Sequence, residues 1–225
     1  MTTLRVVLDA CVLLPQNLNN LLLTIAESEL FSPVWSDQLL DEVERSLCGE
    51  KFQKTAEQAA HRVNQMRAAF PLAKEESHGY ESLIPAMTND PKDRHVLAAA
   101  VRSGADIVVT LNLKDFPRDS VEPHGIEAVH PDVFLCDQFD LDPRAILECL
   151  RRLVERNRRP PQSVGQLLDG LDPITPAFVA MVRSVIEPGG RVDFPFDAPL
   201  AYMTVKQLGP GLEGGEPWIQ FRRGE

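Results

Sequence analysis

The stretch of sequence that decides the fold is residues 88–117, TNDPKDRHVLAAAVRSGADIVVTLNLKDFP. The Asp90-Pro91 pair is typical of a helix N-terminus, with Asp90 as the N-cap and Pro91 as the first helical residue. Small apolar residues continue to Ser103, and Gly104 is the kind of residue that ends a helix. The pattern therefore predicts a helix over about 91–103 that leads into a buried strand, DIVVT, at 106–110.

Strand and helix patterns alternate through the N-terminal part of the chain. Short apolar runs predict further strands at residues 4–8, 32–35 and 126–130. Apolar residues at helical spacing predict helices at 17–30, from Ser36 or Asp37 to about 47, and at 55–70. This alternation is typical of an α/β fold with a mostly parallel sheet and helices on both faces.

The pattern changes after Cys136. Two amphipathic helices are predicted at 142–157 and 175–186, and the Pro and Gly content rises after Glu187. We therefore expect an α/β domain over 1–136, a helical extension over 137–187, and a Pro/Gly-rich tail over 188–225 without assigned structure.

Asp93 stands on the wrong side of the predicted helix for a charged residue. At about 100° per residue it projects between Val96 and Leu97, toward the apolar face. A carboxylate there costs several kcal/mol unless something neutralises it. One interpretation is a capping box, although that motif prefers Glu or Gln at this position. The other is a bound metal ion.

Further oxygen donors are predicted at one edge of the sheet. Asp9 ends the first strand, and Asn112 and Asp115 follow DIVVT, so they belong to the carboxyl edge where open parallel sheets bind ligands. Glu42, on the flank of a helix, either is solvated or reaches inward. Oxygen donors favour Mg²⁺ or Mn²⁺, and a site of this kind suits phosphodiester hydrolysis.

The composition limits the alternatives. The 4 cysteines and 5 histidines show no zinc-binding spacing, and Cys11 is interpreted as a packing residue. The net charge of −10 argues against nonspecific coating of nucleic acid, but a bound cation reverses the local sign. No apolar run reaches the roughly 18 residues of a membrane helix, and no signal-peptide cleavage site is apparent. The expected location is the cytoplasm.

Three motifs resemble those of PIN-domain nucleases, close to the VapC-like toxins of bacterial toxin–antitoxin modules. They are VVLDACVLL (6–14), LLDEVERSL (39–47) and DPKDRHVLAAAVRSGADIVVTLNLKDFP (90–117). The resemblance covers about residues 1–136. It implies Mg²⁺- or Mn²⁺-dependent cleavage of RNA, a homodimer, and inhibition by a cognate antitoxin protein.

By position in these motifs, the catalytic and metal-binding acids are Asp9, Glu42 and Asp93. The fourth acid of many members falls at Asn112, so either Asn112 or Asp115 completes the metal shell. Thr110 is expected to orient the site, and Asp90 to act more as a cap than as a ligand. A cluster of arginines is either an RNA contact or a solvated helix face: Arg151, Arg152, Arg156, Arg158 and Arg159.

Other functional classes fit less well. A haloacid-dehalogenase-type phosphatase needs a second acid two residues after the first, but Ala10 and Cys11 follow Asp9. No glycine-rich loop follows the first strand, so a dinucleotide site is not indicated. The serious alternative is a catalytically weak PIN-like module that binds RNA or a protein partner, which Asn112 and the long extension favour.

Overall fold

The structure, a computed structural model, describes residues 3–75, 77–156 and 161–186. Its centre is a parallel four-stranded sheet in the order β2-β1-β3-β4. The strands are β1 (Arg5–Leu8), β2 (Ser32–Val34), β3 (Ile107–Val109) and β4 (Glu127–Val129). All four lie within the predicted runs, and the α/β fold is confirmed. Because every pair is parallel, the chain leaves all four strands at the same edge of the sheet.

Helices surround this sheet in the N-terminal part of the chain. They are α1 (Ala10–Leu13), α2 (Gln16–Glu27), α3 (Asp37–Cys48), α4 (Ala56–Ala69), α5 (Leu72–Glu75), α6 (Arg94–Ser103) and α7 (Arg118–Val121). Short 3-10 turns occupy Tyr80–Ala86, Leu113–Asp115 and Glu122–His124. Ser36 caps α3 through the backbone N–H of Leu39, and Thr55 forms a capping box with Gln58 at the start of α4.

The predicted start of the helix at Pro91 is wrong. Residues 91–93 form a turn in which the N–H of Asp93 donates to the carbonyl of Asp90 at 2.9 Å, and α6 begins only at Arg94. Asp93, not Asp90, is the N-cap residue, and its carboxylate makes no capping hydrogen bond. The helix ends, as predicted, at Gly104, which adopts a left-handed conformation with φ 62°. The capping-box interpretation of Asp93 is therefore excluded.

The C-terminal part of the described chain is helical. It contains α8 (Pro131–Leu141), α9 (Pro143–Arg156), α10 (Val164–Leu171) and α11 (Pro176–Val185). The helices predicted at 142–157 and 175–186 are confirmed, whereas α8 was not predicted and α10 lies in the predicted connector. Helix α8 crosses residue 136, and the domain boundary there stays a prediction. The tail predicted over 188–225 lies outside the described residues.

These helices pack against the α/β part of the chain. Helix α9 packs on α2 and α8, and α10 packs on α2 and α9. The rings of Phe31 and Phe134 meet edge to face with centroids 5.2 Å apart. Asp132 at the start of α8 accepts hydrogen bonds from the backbone N–H groups of Ala177 and Phe178, which fixes the start of α11. Among the residues described, no helix is both long and apolar enough to cross a membrane.

Candidate metal centre

Asp9 stands at the end of β1 with its carboxylate held in place. The residue is 4% exposed, and its backbone N–H donates to the carbonyl of Val109 at 3.1 Å, which continues the pairing of β1 with β3. Oδ2 accepts two side-chain hydrogen bonds, from the Thr110 hydroxyl at 2.7 Å and from the Cys11 thiol at 3.0 Å. The orientation of the carboxylate is thus fixed by groups from two separate strand ends.

The loop after β3 completes this arrangement. Thr110 is fully buried, and while it donates to Asp9 its oxygen accepts the N–H of Asn112 at 3.0 Å. The N–H of Leu111 donates to the Cys11 sulfur at 3.2 Å. Asn112 itself is exposed. Hydrogen bonds therefore tie the loop after β3 to the loop after β1.

Asp115 brings the same loop to the entrance of α6. It is half-buried at the end of the 3-10 turn, and its carbonyl accepts the backbone N–H of Asp90 at 3.1 Å. Oδ1 of Asp90 accepts the N–H of Lys92 at 3.0 Å. The turn that carries Asp93 is therefore positioned by a contact between Asp90 and Asp115, which lie 25 positions apart in the sequence.

Asp93 is the electrostatic centre of the cluster. Burial, first, and the charges of nearby carboxylates, second, together raise the pKa of this half-buried carboxyl from 3.8 to about 6. In decreasing order of effect, these are Asp9, Asp115, Glu42 and Asp90. Together with Asp93 they are the five acids that the sequence selected, and each of the other four acts electrostatically on Asp93. We call these five residues the acidic edge.

Glu42 reaches the acidic edge from α3. Its side chain is 40% exposed, and Oε2 lies 3.5 Å from Nε2 of His95 on α6. Burial raises the pKa of Asp9, the hydrogen bonds from Thr110 and Cys11 oppose that rise, and the charge of Glu42 adds to it. Glu42 thus faces inward toward Asp9 and α6, and is not a fully solvated residue.

The donor set of the acidic edge fits a hard divalent cation. Within the described part of the chain, no Lys or Arg forms an ion pair with any of its four aspartates. Partly buried carboxylates that repel one another are stabilised when a cation neutralises them. As the side chains stand, no three His, Cys, Asp or Glu residues among those described form a ready group of ligands.

Two residues of this region escaped prediction from the sequence. Cys11, interpreted as a packing residue, donates to Asp9, and burial together with the charge of Asp9 raises the pKa of its thiol to about 12. It therefore remains a protonated donor at neutral pH. His95 is 4% exposed, contacts Glu42, and has no hydrogen-bond partner at Nδ1 in the described structure. The sequence signal that could have identified His95 is its position two residues after Asp93.

The predicted arginine cluster lies elsewhere, on α9, and is largely neutralised. Arg151 pairs with Glu148 and Glu155, Arg152 pairs with Glu148, and Arg156 pairs with Glu27. Arg158 and Arg159 lie outside the described residues. A role for this cluster in RNA binding stays a prediction, and these ion pairs favour the interpretation as a solvated helix face.

Comparison with known proteins agrees with this fold. Residues 5–114 match the PIN domain family, and residues 131–184 match the VapC50 C-terminal domain. The chain thus belongs to the PIN-domain nuclease family, among its VapC-like members. A protein of Mycobacterium tuberculosis (strain ATCC 25618 / H37Rv) named "Putative ribonuclease VapC50" is 46% identical over 123 residues, covering 53% of this chain and 73% of that protein. No solved structure matches the chain significantly.

Proposed function

We propose that this chain is a Mg²⁺- or Mn²⁺-dependent endoribonuclease, the toxin of a toxin–antitoxin pair. The observation that carries the proposal is that four further carboxylates, two of them in the loops that follow β1 and β3, act electrostatically on the half-buried Asp93. Membership of the PIN-domain family supports a nuclease, and the name of the mycobacterial relative supports RNA as the substrate.

In this proposal Asp9, Glu42 and Asp93 hold one or two metal ions, and Asp115 or Asn112 completes the shell. A bound divalent ion lowers the pKa of a water molecule, orients the phosphodiester and stabilises the leaving oxygen. The chain itself supplies the orientation: Thr110 and Cys11 hold Oδ2 of Asp9 in a single position. Without a cation, the charges of the acidic edge repel the phosphates of RNA, so substrate binding should also depend on the ion.

The test is cleavage of mixed RNA by the full chain, with Mn²⁺ and with EDTA. Asp9→Asn and Asp93→Asn should abolish cleavage. The matched control is Asp119→Asn, because Asp119 is exposed and does not belong to the acidic edge. Cleavage that survives chelation, or that both substitutions leave intact, excludes a metal-dependent nuclease.

A second candidate is a catalytically weak module that binds RNA or a protein partner. Asn112 favours it, because an amide stands where many family members carry the fourth acid. The same experiment separates the two. Saturable binding of Mn²⁺ without cleavage of any RNA supports the binding module.

The remaining parts of the proposal concern assembly. The family implies a homodimer in the cytoplasm that a cognate antitoxin protein inhibits. Light scattering of the purified chain tests the dimer. Loss of RNA cleavage on addition of the protein encoded by a small adjacent gene tests the antitoxin.

A further inference from the structure

A cleft of about 230 Å³ lies beside α4, the start of α2 and the end of α3. Its polar lining consists of three basic residues and three glutamines: Lys54, His61, Arg62, Gln16, Gln58 and Gln65. Sites for drug-sized ligands are typically about 300–1,000 Å³. The cleft is therefore of a size for one segment of an extended polymer, and not for a large cofactor.

The charge of this cleft differs from that of the chain as a whole. The sequence has 33 acidic and 23 basic residues, yet no Asp or Glu lines the cleft. Lys54 and His61 are exposed and form no ion pair within the described part of the chain. Arg151, Arg152 and Arg156 of α9, by contrast, all pair with glutamates. The positive charge of the cleft therefore remains available to an anion.

Arg62 adds a positive charge that is fixed in place. Its guanidinium donates to the carbonyls of Leu13 at 2.6 Å and Leu14 at 3.2 Å. Both acceptors are neutral, so these bonds orient the group without cancelling its charge. They also attach α4 to the end of α1.

Two helices connect the cleft to the acidic edge. Helix α1 begins directly after Asp9 and ends at Leu13, whose carbonyl binds Arg62. Helix α3 carries Glu42 at the acidic edge and Leu47 in the lining of the cleft. With a rise of about 1.5 Å per residue, each path covers only about 6–8 Å along the helix axis. The acidic edge and the cleft are therefore carried by the same two helices, about one to one and a half turns apart.

From these observations we propose that the cleft binds the phosphodiester backbone of single-stranded RNA next to the position that is cut. Lys54 and Arg62 attract the phosphates, and His61 and the glutamine amides are suited to hydrogen bonds with sugar and phosphate oxygens. This inference rests on the proposed function, because it treats the cleft as part of the path of the same substrate.

The first measurement is binding, which needs no cleavage. A fluorescently labelled single-stranded oligouridylate is titrated with the full chain carrying Asp9→Asn, at a Mn²⁺ concentration that saturates this variant and at several salt concentrations. Adding Lys54→Gln should weaken binding about five-fold, and should make the slope of log K against log salt less negative by about 0.7, the value for one lost phosphate contact on a single strand. His61→Gln tests the contribution of the imidazole, and Lys54→Arg should retain the affinity of the chain that carries Lys54.

The matched control is Lys51→Gln. Lys51 is exposed and lies three positions from Lys54, but it stacks near the ring of Phe52 and does not line the cleft. The Lys51→Gln substitution should leave the RNA affinity and the slope of log K against log salt unchanged. Arg62 is not substituted, because its bonds to Leu13 and Leu14 support the fold. Thermal unfolding of each variant checks that the fold is retained.

The second measurement is steady-state cleavage by chains with an intact acidic edge. Lys54→Gln should raise KM and leave kcat nearly unchanged, as expected of a residue that binds substrate away from the reacting atoms. If Lys54→Gln, His61→Gln and their combination bind RNA with the affinity and salt slope of Lys51→Gln, the inference is overturned. The same holds if they weaken binding of a protein partner but not of RNA.

Failure of the inference and failure of the proposed function give different results. If the chain does not cleave RNA, the binding titration still decides whether the cleft contacts a phosphate backbone. If Asp93→Asn abolishes cleavage while the cleft variants behave like Lys51→Gln, the function stands and the cleft has no part in it.

Discussion

The hydroxyl of Thr110 donates a 2.7 Å hydrogen bond to Oδ2 of Asp9, across the ends of two neighbouring parallel strands. The register pairs Leu8 with Val109, so the next residue of each strand, Asp9 and Thr110, emerges at the same level of the sheet. The contact is therefore a direct consequence of strand pairing, and it fixes a proposed metal ligand before any ion is bound.

Thr110→Val removes this donor while keeping the shape of the side chain. We expect Mn²⁺ affinity to fall by about 10–100-fold, the range for loss of a residue that orients a metal ligand. Thr110→Ser keeps the hydroxyl and should retain most of the affinity. Isothermal titration with Mn²⁺ measures both variants. Equal affinities for Thr110→Val and the unaltered chain would show that Asp9 does not need this orientation.

The thiol of Cys11 should also raise Mn²⁺ affinity by orienting the carboxylate of Asp9. Its effect should be weaker than that of Thr110, because a thiol is a poor hydrogen-bond donor. Cys11→Ala is expected to lower Mn²⁺ affinity less than Thr110→Val does, and Cys11→Ser should preserve it. The structure gives the thiol a second bond from the N–H of Leu111, so the serine must also accept that bond. If Cys11→Ser and Cys11→Ala lose affinity equally, the role of Cys11 is packing alone.

The raised pKa of Asp93 predicts how stability depends on pH without metal. Burial and four neighbouring carboxylates raise it from 3.8 to about 6, so between these values the folded state binds more protons than the unfolded state. This contribution to stability is complete below pH 3.8 and is lost as the pH rises through about 6. Urea unfolding in EDTA at pH 5 and pH 7.5 measures the loss.

Asp93→Asn should remove this pH dependence. In EDTA at pH 7.5 we expect it to raise the free energy of unfolding by about 1 kcal/mol, a value reduced because the side chain is only half-buried. With Mn²⁺, the unaltered chain should recover the lost stability and Asp93→Asn should not. A variant that is less stable than the unaltered chain in EDTA would contradict the electrostatic account.

Whether Asp115 or Asn112 completes the metal shell can also be tested. Asp115 is half-buried and acts electrostatically on Asp93, whereas Asn112 is exposed. We therefore expect Asp115→Asn to reduce RNA cleavage and Mn²⁺ affinity far more than Asn112→Ala does. A larger effect of Asn112→Ala would assign the fourth position of the shell to the amide.

The strands and most helices could be predicted because short apolar runs and helical spacing are local signals. The start of α6 could not, because Asp90 and Pro91 satisfy the local rule for a helix entrance. In the fold, the N–H of Asp90 binds the carbonyl of Asp115 and the chain makes one more turn before Arg94. A contact between distant residues thus overrode a local preference.

The acids of the candidate site could be selected from the sequence because a charge beside a buried strand or on an apolar helix face is costly unless another group neutralises it. The bond from Cys11 to Asp9 could not, because nothing local distinguishes a donating thiol from a packed one. Its second partner, Leu111, lies on another strand end. Helix α8 was missed because its N-cap, His130, and its first residue, Pro131, resemble the end of a strand followed by a loop.

The most direct test of the central claim is the binding of Mn²⁺ to the full chain, followed by electron paramagnetic resonance of the free ion. The account predicts saturable binding that Asp9→Asn and Asp93→Asn each weaken strongly and that Asp119→Asn leaves unchanged. Binding that is equal in all four chains would mean that the acidic edge does not hold the ion.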